Sequence, residues 1–113
     1  MNSQPAAQPT VYVIEQQAYD YTAAEVFGQL HFIEAKPLAP QSPGAPDTWN
    51  RNVVHQIRKA LSDYVPGLDF VIPTGSPSRM LLTGMLLAEK GKHHKILKWD
   101  GRTQRYLQYD VTL

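Results

Sequence analysis

Cysteine is absent from these 113 residues, which excludes a disulfide framework, a cysteine nucleophile and any thiolate metal site. No apolar run approaches the roughly 18 residues that a membrane helix needs, so no membrane association is expected. Residues 1–10 (MNSQPAAQPT) lack both a cationic start and an apolar centre, so they do not read as a secretory signal. Net charge is scarce as well. The balance is +1 with a pI near 8.0, which falls short of the strongly basic footprint of a dedicated nucleic-acid binder. What is present is 42% hydrophobic residues and 19% charged, enough for one apolar core and too much for a disordered chain. The length is that of one domain. The expectation is a flexible tail over 1–10 followed by a single α/β domain over 11–113, in the cytoplasm.

The small net charge hides an asymmetry. Residues 1–48 set Lys36 against Glu15, Asp20, Glu25, Glu34 and Asp47. Residues 90–105 set Lys90, Lys92, Lys95, Lys98, Arg102 and Arg105 against Asp100 alone, beside His93 and His94. A basic cluster of this kind attracts phosphates or an acidic protein face. It also describes a solvated hairpin whose lysines keep an edge strand from aggregating.

Val11–Glu15 is β-branched and aromatic and reads as a first strand. Thr22-Ala23-Ala24-Glu25 has the spacing of a capping box, which predicts a helical turn over Ala23–Phe27 ended by Gly28 at positive φ. Leu30–Glu34 reads as a second strand. The segment Lys36–Asp47 holds four prolines and one glycine, so it is a loop, long enough to cross the sheet or lie over a site. Asp47 or Thr48 can cap a helix in which Trp49, Val53, Val54, Ile57, Leu61 and Tyr64 form one apolar stripe, stopped by Pro66-Gly67. Leu68–Pro73 fits a buried strand. Ser76 and Pro77 suit the start of a second helix that runs to about Lys90 and stops at Gly91. That helix is apolar nearly all round over Met80–Ala88, so it is expected to be the more buried one, with Gly84 packed closely against a neighbour. Lys95–Trp99 and Tyr106–Leu113 read as a hairpin turning at Asp100-Gly101. In the last strand Leu107, Tyr109, Val111 and Leu113 alternate with polar positions. The predicted order is β-β-α-β-α-β-β, a mixed sheet of about five strands with two main helices.

Several constellations could carry chemistry. Thr74, Gly75, Ser76, Ser78 and Arg79 follow a buried strand and open a helix, where free N–H groups and the dipole favour an anion. The same residues also serve ordinary turn and cap chemistry, and the string matches neither GxGxxG nor GxxxxGKS. Along the hairpin, Lys92, Lys95, Lys98, Arg102, Arg105 and Tyr106 combine phosphate-neutralising charge with a ring for base stacking, while Trp99 and Tyr109 are expected to face the core. Tyr12, Tyr19, Asp20, Tyr21 and Phe27 would suit a protein interface if several are exposed. The histidines (His31, His55, His93 and His94) show neither HExxH nor HxH spacing, so no metal site is expected. Ser76 lacks the GxSxG context of a nucleophile and would need a histidine within about 3 Å of its hydroxyl.

Tyr19-Asp20-Tyr21, the run Glu25–Leu30, Asp69–Ile72 with Thr74-Gly75-Ser76-Pro77, and Leu97–Asp100 with Tyr106 together resemble small proteins of bacteriophages and related mobile elements, over about residues 11–113. No activity is established for such proteins, so no functional residues carry over. The resemblance implies a context, since many small phage proteins act by binding a host component, and it places the chain in the host cytoplasm. The reading is therefore a non-enzymatic, phage-derived protein without a cofactor that binds a macromolecular partner, a host protein. An uncovered sheet edge or the proline loop could also support a homodimer. The alternative is nucleic-acid or nucleotide-phosphate binding through residues 90–105 or the Thr74–Arg79 turn.

Overall fold

The computed structural model describes residues 8–43 and 47–113. Most of the expected tail and residues 44–46 near the end of the proline loop lie outside the described residues, while Thr10 belongs to the first strand. The chain forms a five-stranded mixed sheet with two helices. Its strands are β1 (Thr10–Val13), β2 (Gln29–Phe32), β3 (Phe70–Ile72), β4 (His93–Asp100) and β5 (Arg105–Thr112). The helices are α1 (Thr48–Ala60) and α2 (Pro77–Ala88), and a 3-10 turn spans Thr22–Val26. The α/β order read from the sequence is the one observed.

The sheet order is β2-β1-β3-β4-β5, parallel except for the β4–β5 hairpin. The step from β1 to β2 runs one way across the sheet, and the steps to β3 and β4 run the other. Right-handed crossovers therefore put the 3-10 turn on one face and both helices on the opposite face. The two cores follow that division. Tyr12, Ile14 and Val71 pack with Val53, Ile57, Leu61 and Leu86 under the helices. Val11, Val13, Phe70, Ile72 and Leu97 pack with Tyr21, Ala24 and Tyr106 on the other side. β3 is buried at every position because it lies between parallel neighbours and is covered on both faces.

Three local expectations are corrected. The capping box does not form: Asp20, two residues before Thr22, accepts the Thr22 N–H at 2.9 Å in place of Glu25 and makes an Asx turn. Gly28 is not at positive φ. A Cβ there would lie 2.1 Å from the Pro9 carbonyl oxygen, so close backbone approach is what calls for glycine. α2 is the more buried helix, as expected, with Arg79, Thr83, Leu86 and Leu87 buried compared with Val53 and Ile57 in α1, although Leu81 and Met85 face outward. Its Gly84 has no atom within 4 Å of an added Cβ. Gly84→Ala is therefore expected to stabilise the protein by about 0.5–1 kcal/mol, read as a higher urea midpoint with unchanged slope. No rise, or a fall, would mean that α2 packs differently.

The start of the proline loop is held against α1. Asn50 makes two hydrogen bonds to Ala39, and the Trp49 indole N–H donates to Pro37 O at 2.8 Å. The Lys36 ammonium sits 5.1 Å from the centre of the Trp49 ring. These contacts hold the start of the loop along α1, on the helix-bearing face.

A buried polar pair closes the helix-side core. His94 Nε2 lies 2.8 Å from Gly91 O, a pure acceptor, so that nitrogen carries the proton. His94 Nδ1 therefore accepts the Tyr64 O–H, at 2.6 Å. Burial, then the charge of Asp69, pushes the Tyr64 phenol up from 10.0 to about 12. The neutral phenol is the form the fold prefers, so the folded state holds a proton that the unfolded chain releases near pH 10. Stability is expected to fall as pH rises from 10 towards 12, by about 2–3 kcal/mol in total. Tyr64→Phe should flatten that decline while costing about 1–3 kcal/mol at neutral pH, because the His94 acceptor is left unpaired. Urea titrations across the alkaline range check both, and an unchanged decline in the variant would contradict the assignment.

Candidate functional site

The carboxyl ends of β1 and β3 are where the sheet reverses its order of growth, and crevices at such points bind ligands in open α/β folds. Three observations fix the geometry there. Thr74 Oγ1 donates to Glu15 O at 2.8 Å and lies 3.4 Å from the Tyr21 hydroxyl, which accepts the Gln17 N–H at 2.9 Å. This chain of bonds ties the segment after β1 to the end of β3. Gly75 adopts φ +113, and a Cβ on it would lie 2.3 Å from Glu15 Oε1. Ser76 caps α2 through its side chain, accepting the Arg79 N–H at 3.3 Å.

The anion at the Thr74–Arg79 turn is the chain's own. Glu15 Oε1 accepts the Ser76 N–H at 2.8 Å, and Oε2 lies 4.0 Å from the Arg79 guanidinium. Arg79 is 3% exposed, and its Nη2 donates to Ala35 O at 2.8 Å and Lys36 O at 2.9 Å. Its Nε is buried with no hydrogen-bond partner among the described residues. The turn thus draws the carboxyl ends of β1, β2 and β3 together. Thr74, Gly75, Ser76 and Arg79 converge on Glu15, whereas the Ser78 hydroxyl lies 3.5 Å from that of Ser76. No histidine pairs with Ser76 among the described residues.

On the opposite face from the helices, a cleft of about 740 Å³ opens at the carboxyl ends of β3 and β4. Ile72, Pro73, Leu97 and Tyr106 form its apolar base. Ala18–Tyr21 and Ala23 form one side, and Trp99 and Gln104 form the other. Tyr19 is 67% exposed and Trp99 43%, both on this cleft. The Trp99 ring meets Tyr106 edge-on at 5.1 Å, and Tyr19 meets Tyr21 edge-on at 6.3 Å. Burial raises the Tyr106 phenol above its ordinary value, and the Thr22 hydrogen bonds hold Asp20 below its own.

Here the sequence reading is corrected. Tyr106, expected to stack on bases, is buried, while Trp99 and Tyr109, expected in the core, are exposed. The alternation of the last strand is real, but α2 does not cover β5, so Tyr109 is left open. The 3-10 turn packs on β5 from the other side and closes over Tyr106. Of the aromatic-acidic stretch, Tyr12 and Tyr21 are core and Phe27 packs against it; only Tyr19 and Asp20 reach the rim.

The basic residues do not form one surface. Lys92 precedes β4 and Arg102 follows it, a strand length of roughly 25 Å apart. Lys95 lies over the Phe70 ring at 5.2 Å, on the 3-10 face. Strand alternation puts Lys98 and Arg105 on the helix face, close together near the hairpin tip that carries Arg102. Asp100 sits among them, its carboxyl held low by the Thr103 side chain. The residues that the sequence reading passed over are Glu15, which occupies the α2 terminus, and Pro73 and Gln104, which complete the cleft.

No curated protein and no solved structure matches the chain. A family model described as Phage Pam3 gp32-like protein matches residues 9–113, which takes in every strand and both helices. The chain therefore belongs to the Phage Pam3 gp32-like protein family.

Proposed function

We propose that this phage protein works by binding rather than by catalysis, and that its partner is a host protein whose segment docks in the aromatic cleft. The observation that carries this reading is the pair of exposed rings, Tyr19 and Trp99, on one cleft with an apolar base. Large aromatics at the mouth of an apolar pocket supply the contact area on which interface hot spots depend. Their supports are rigid: the Thr74–Tyr21–Gln17 bonds hold one side, and the hairpin holds the other. A cleft that is formed before binding loses little entropy on docking. The basic hairpin tip beside it favours a partner segment with acidic residues next to its apolar anchor.

A second reading, nucleic-acid or nucleotide-phosphate binding, draws on Lys98, Arg102 and Arg105, which lie near the tip of the same hairpin. The two separate in affinity capture from bacterial lysate with and without nuclease. The host-protein reading predicts a stoichiometric protein that survives nuclease and moderate salt. Capture that vanishes with nuclease, or falls steeply with salt as counterion release requires, would favour the second.

A further inference from the structure

The two edges of the sheet are unlike. β2 is four residues long and is followed by Lys36-Pro37. β5 is eight residues long, contains no proline, and has no Lys or Arg after Arg105. Natural sheets guard exposed edges with short strands, lysine or proline, and β5 uses none of these beyond its first residue. The Leu113 N–H donates to Lys92 O at 2.9 Å, so the odd-numbered residues of this strand turn their main chain towards β4. The N–H and C=O groups of Tyr106, Gln108, Asp110 and Thr112 therefore point outward. Beside them Tyr109 and Leu113 are exposed on the helix face, with Leu113 at the rim of a cavity that it shares with Met80, Gly84 and Leu87 of α2.

We infer that β5 pairs antiparallel with β5 of a second copy of this chain, about a two-fold axis at Tyr109. Such an axis, normal to the sheet, pairs residues of equal parity, so only a few registers exist. Centring on Tyr109 sets Gln108 against Asp110, Tyr106 against Thr112 and Leu107 against Val111. Every outward residue of the strand is then used, in about eight main-chain hydrogen bonds. On the helix face Leu107, Tyr109 and Val111 make one apolar strip across the junction. Centring on Asp110 would oppose two carboxylates, which destabilises a pair. Centring on Gln108 or Leu107 would bring Gln104 into the ladder, and its φ of 55 is not that of a strand. The pattern is complementary to itself, which is what an isologous interface needs. The axis also keeps each face on its own side, so both aromatic clefts open on the same face. Their Tyr106 residues lie about 20 Å apart along the strands, which suits a repeated or dimeric target. This inference rests on the β5 edge and stands or falls separately from the cleft.

The test uses the whole chain. Sedimentation equilibrium at micromolar concentration should give twice the 12.7 kDa chain mass. Gln108→Pro removes an outward N–H and leaves the β4 ladder intact, so it should return the mass to that of one chain with the circular dichroism spectrum kept. Because the chain has no cysteine, Tyr109→Cys places a single thiol on the axis, at a non-hydrogen-bonded pair within disulfide reach. Mild oxidation should link it to itself nearly completely, while Leu81→Cys, on the outer side of α2, should stay single. A wild-type chain that sediments at 12.7 kDa throughout would overturn the inference. So would a dimer that folded Gln108→Pro leaves intact, or equal linkage of the two cysteine variants.

Discussion

Arg79→Ala is expected to destabilise the protein by about 3–5 kcal/mol, with a drop in Tm of about 12–20 °C. The guanidinium joins the carboxyl ends of β1 and β2 to the start of α2. It donates to Ala35 O and Lys36 O after β2, and it stands beside Glu15 after β1. Removing it leaves two part-buried carbonyls without this donor and takes the nearby cation away from the Glu15 carboxylate. Hydrogen bonds from a charged donor are worth about 1.5–3 kcal/mol each, which sets the scale. Arg79→Lys should recover less than half of the loss, because a single ammonium cannot reproduce the planar fork. Glu15→Gln, which keeps an acceptor for Ser76, should cost about 1 kcal/mol or less, since Glu15 is partly solvated. A loss below about 1 kcal/mol for Arg79→Ala would show that the β2 end is held in some other way.

Trp99→Ala is expected to weaken partner binding by about 2–4 kcal/mol, a fall in affinity of about 30- to 1000-fold, with little change in stability. Trp99 lies on an edge hairpin and is half exposed, so truncation opens no sealed cavity. Its loss would remove one side of the cleft and uncover the edge of Tyr106. Tyr19→Ala should act in the same direction and more weakly, because its ring is the more solvated of the two. Calorimetric titration of the captured partner against each variant checks both. Equal affinities for wild type and Trp99→Ala would move the docking surface elsewhere.

The architecture was legible because each element carries its own signal. Phe70–Ile72 is continuously apolar and proved to be the central parallel strand. Ser76-Pro77 opened α2 where expected, with the cap hydrogen bond in place. The sequence marked Thr74, Gly75, Ser76, Ser78 and Arg79 as a turn that could hold an anion, but not that Glu15 would stand there. Glu15 lies 61 positions before Ser76, and nothing local to either residue announces the pairing. The aromatic hairpin was misread for a related reason. Period-two alternation says which residues share a face but not which face is covered. That depends on how far α2 reaches across the sheet and on the 3-10 turn packing over Tyr106. Gly84 misled in the same way, since a glycine in an apolar helix signals close packing only if a neighbour is there.

The central claim is that Tyr19 and Trp99 mark the docking surface, and photo-crosslinking tests it most directly. A benzophenone side chain replaces Tyr19 in one variant, Trp99 in a second and Leu81 in a third, and each is irradiated in nuclease-treated bacterial lysate. The account predicts that the same host protein is linked at positions 19 and 99 and not at 81, which lies on the opposite face. Linkage at 81 but not at 19 or 99, or no discrete protein at any of the three, would contradict it.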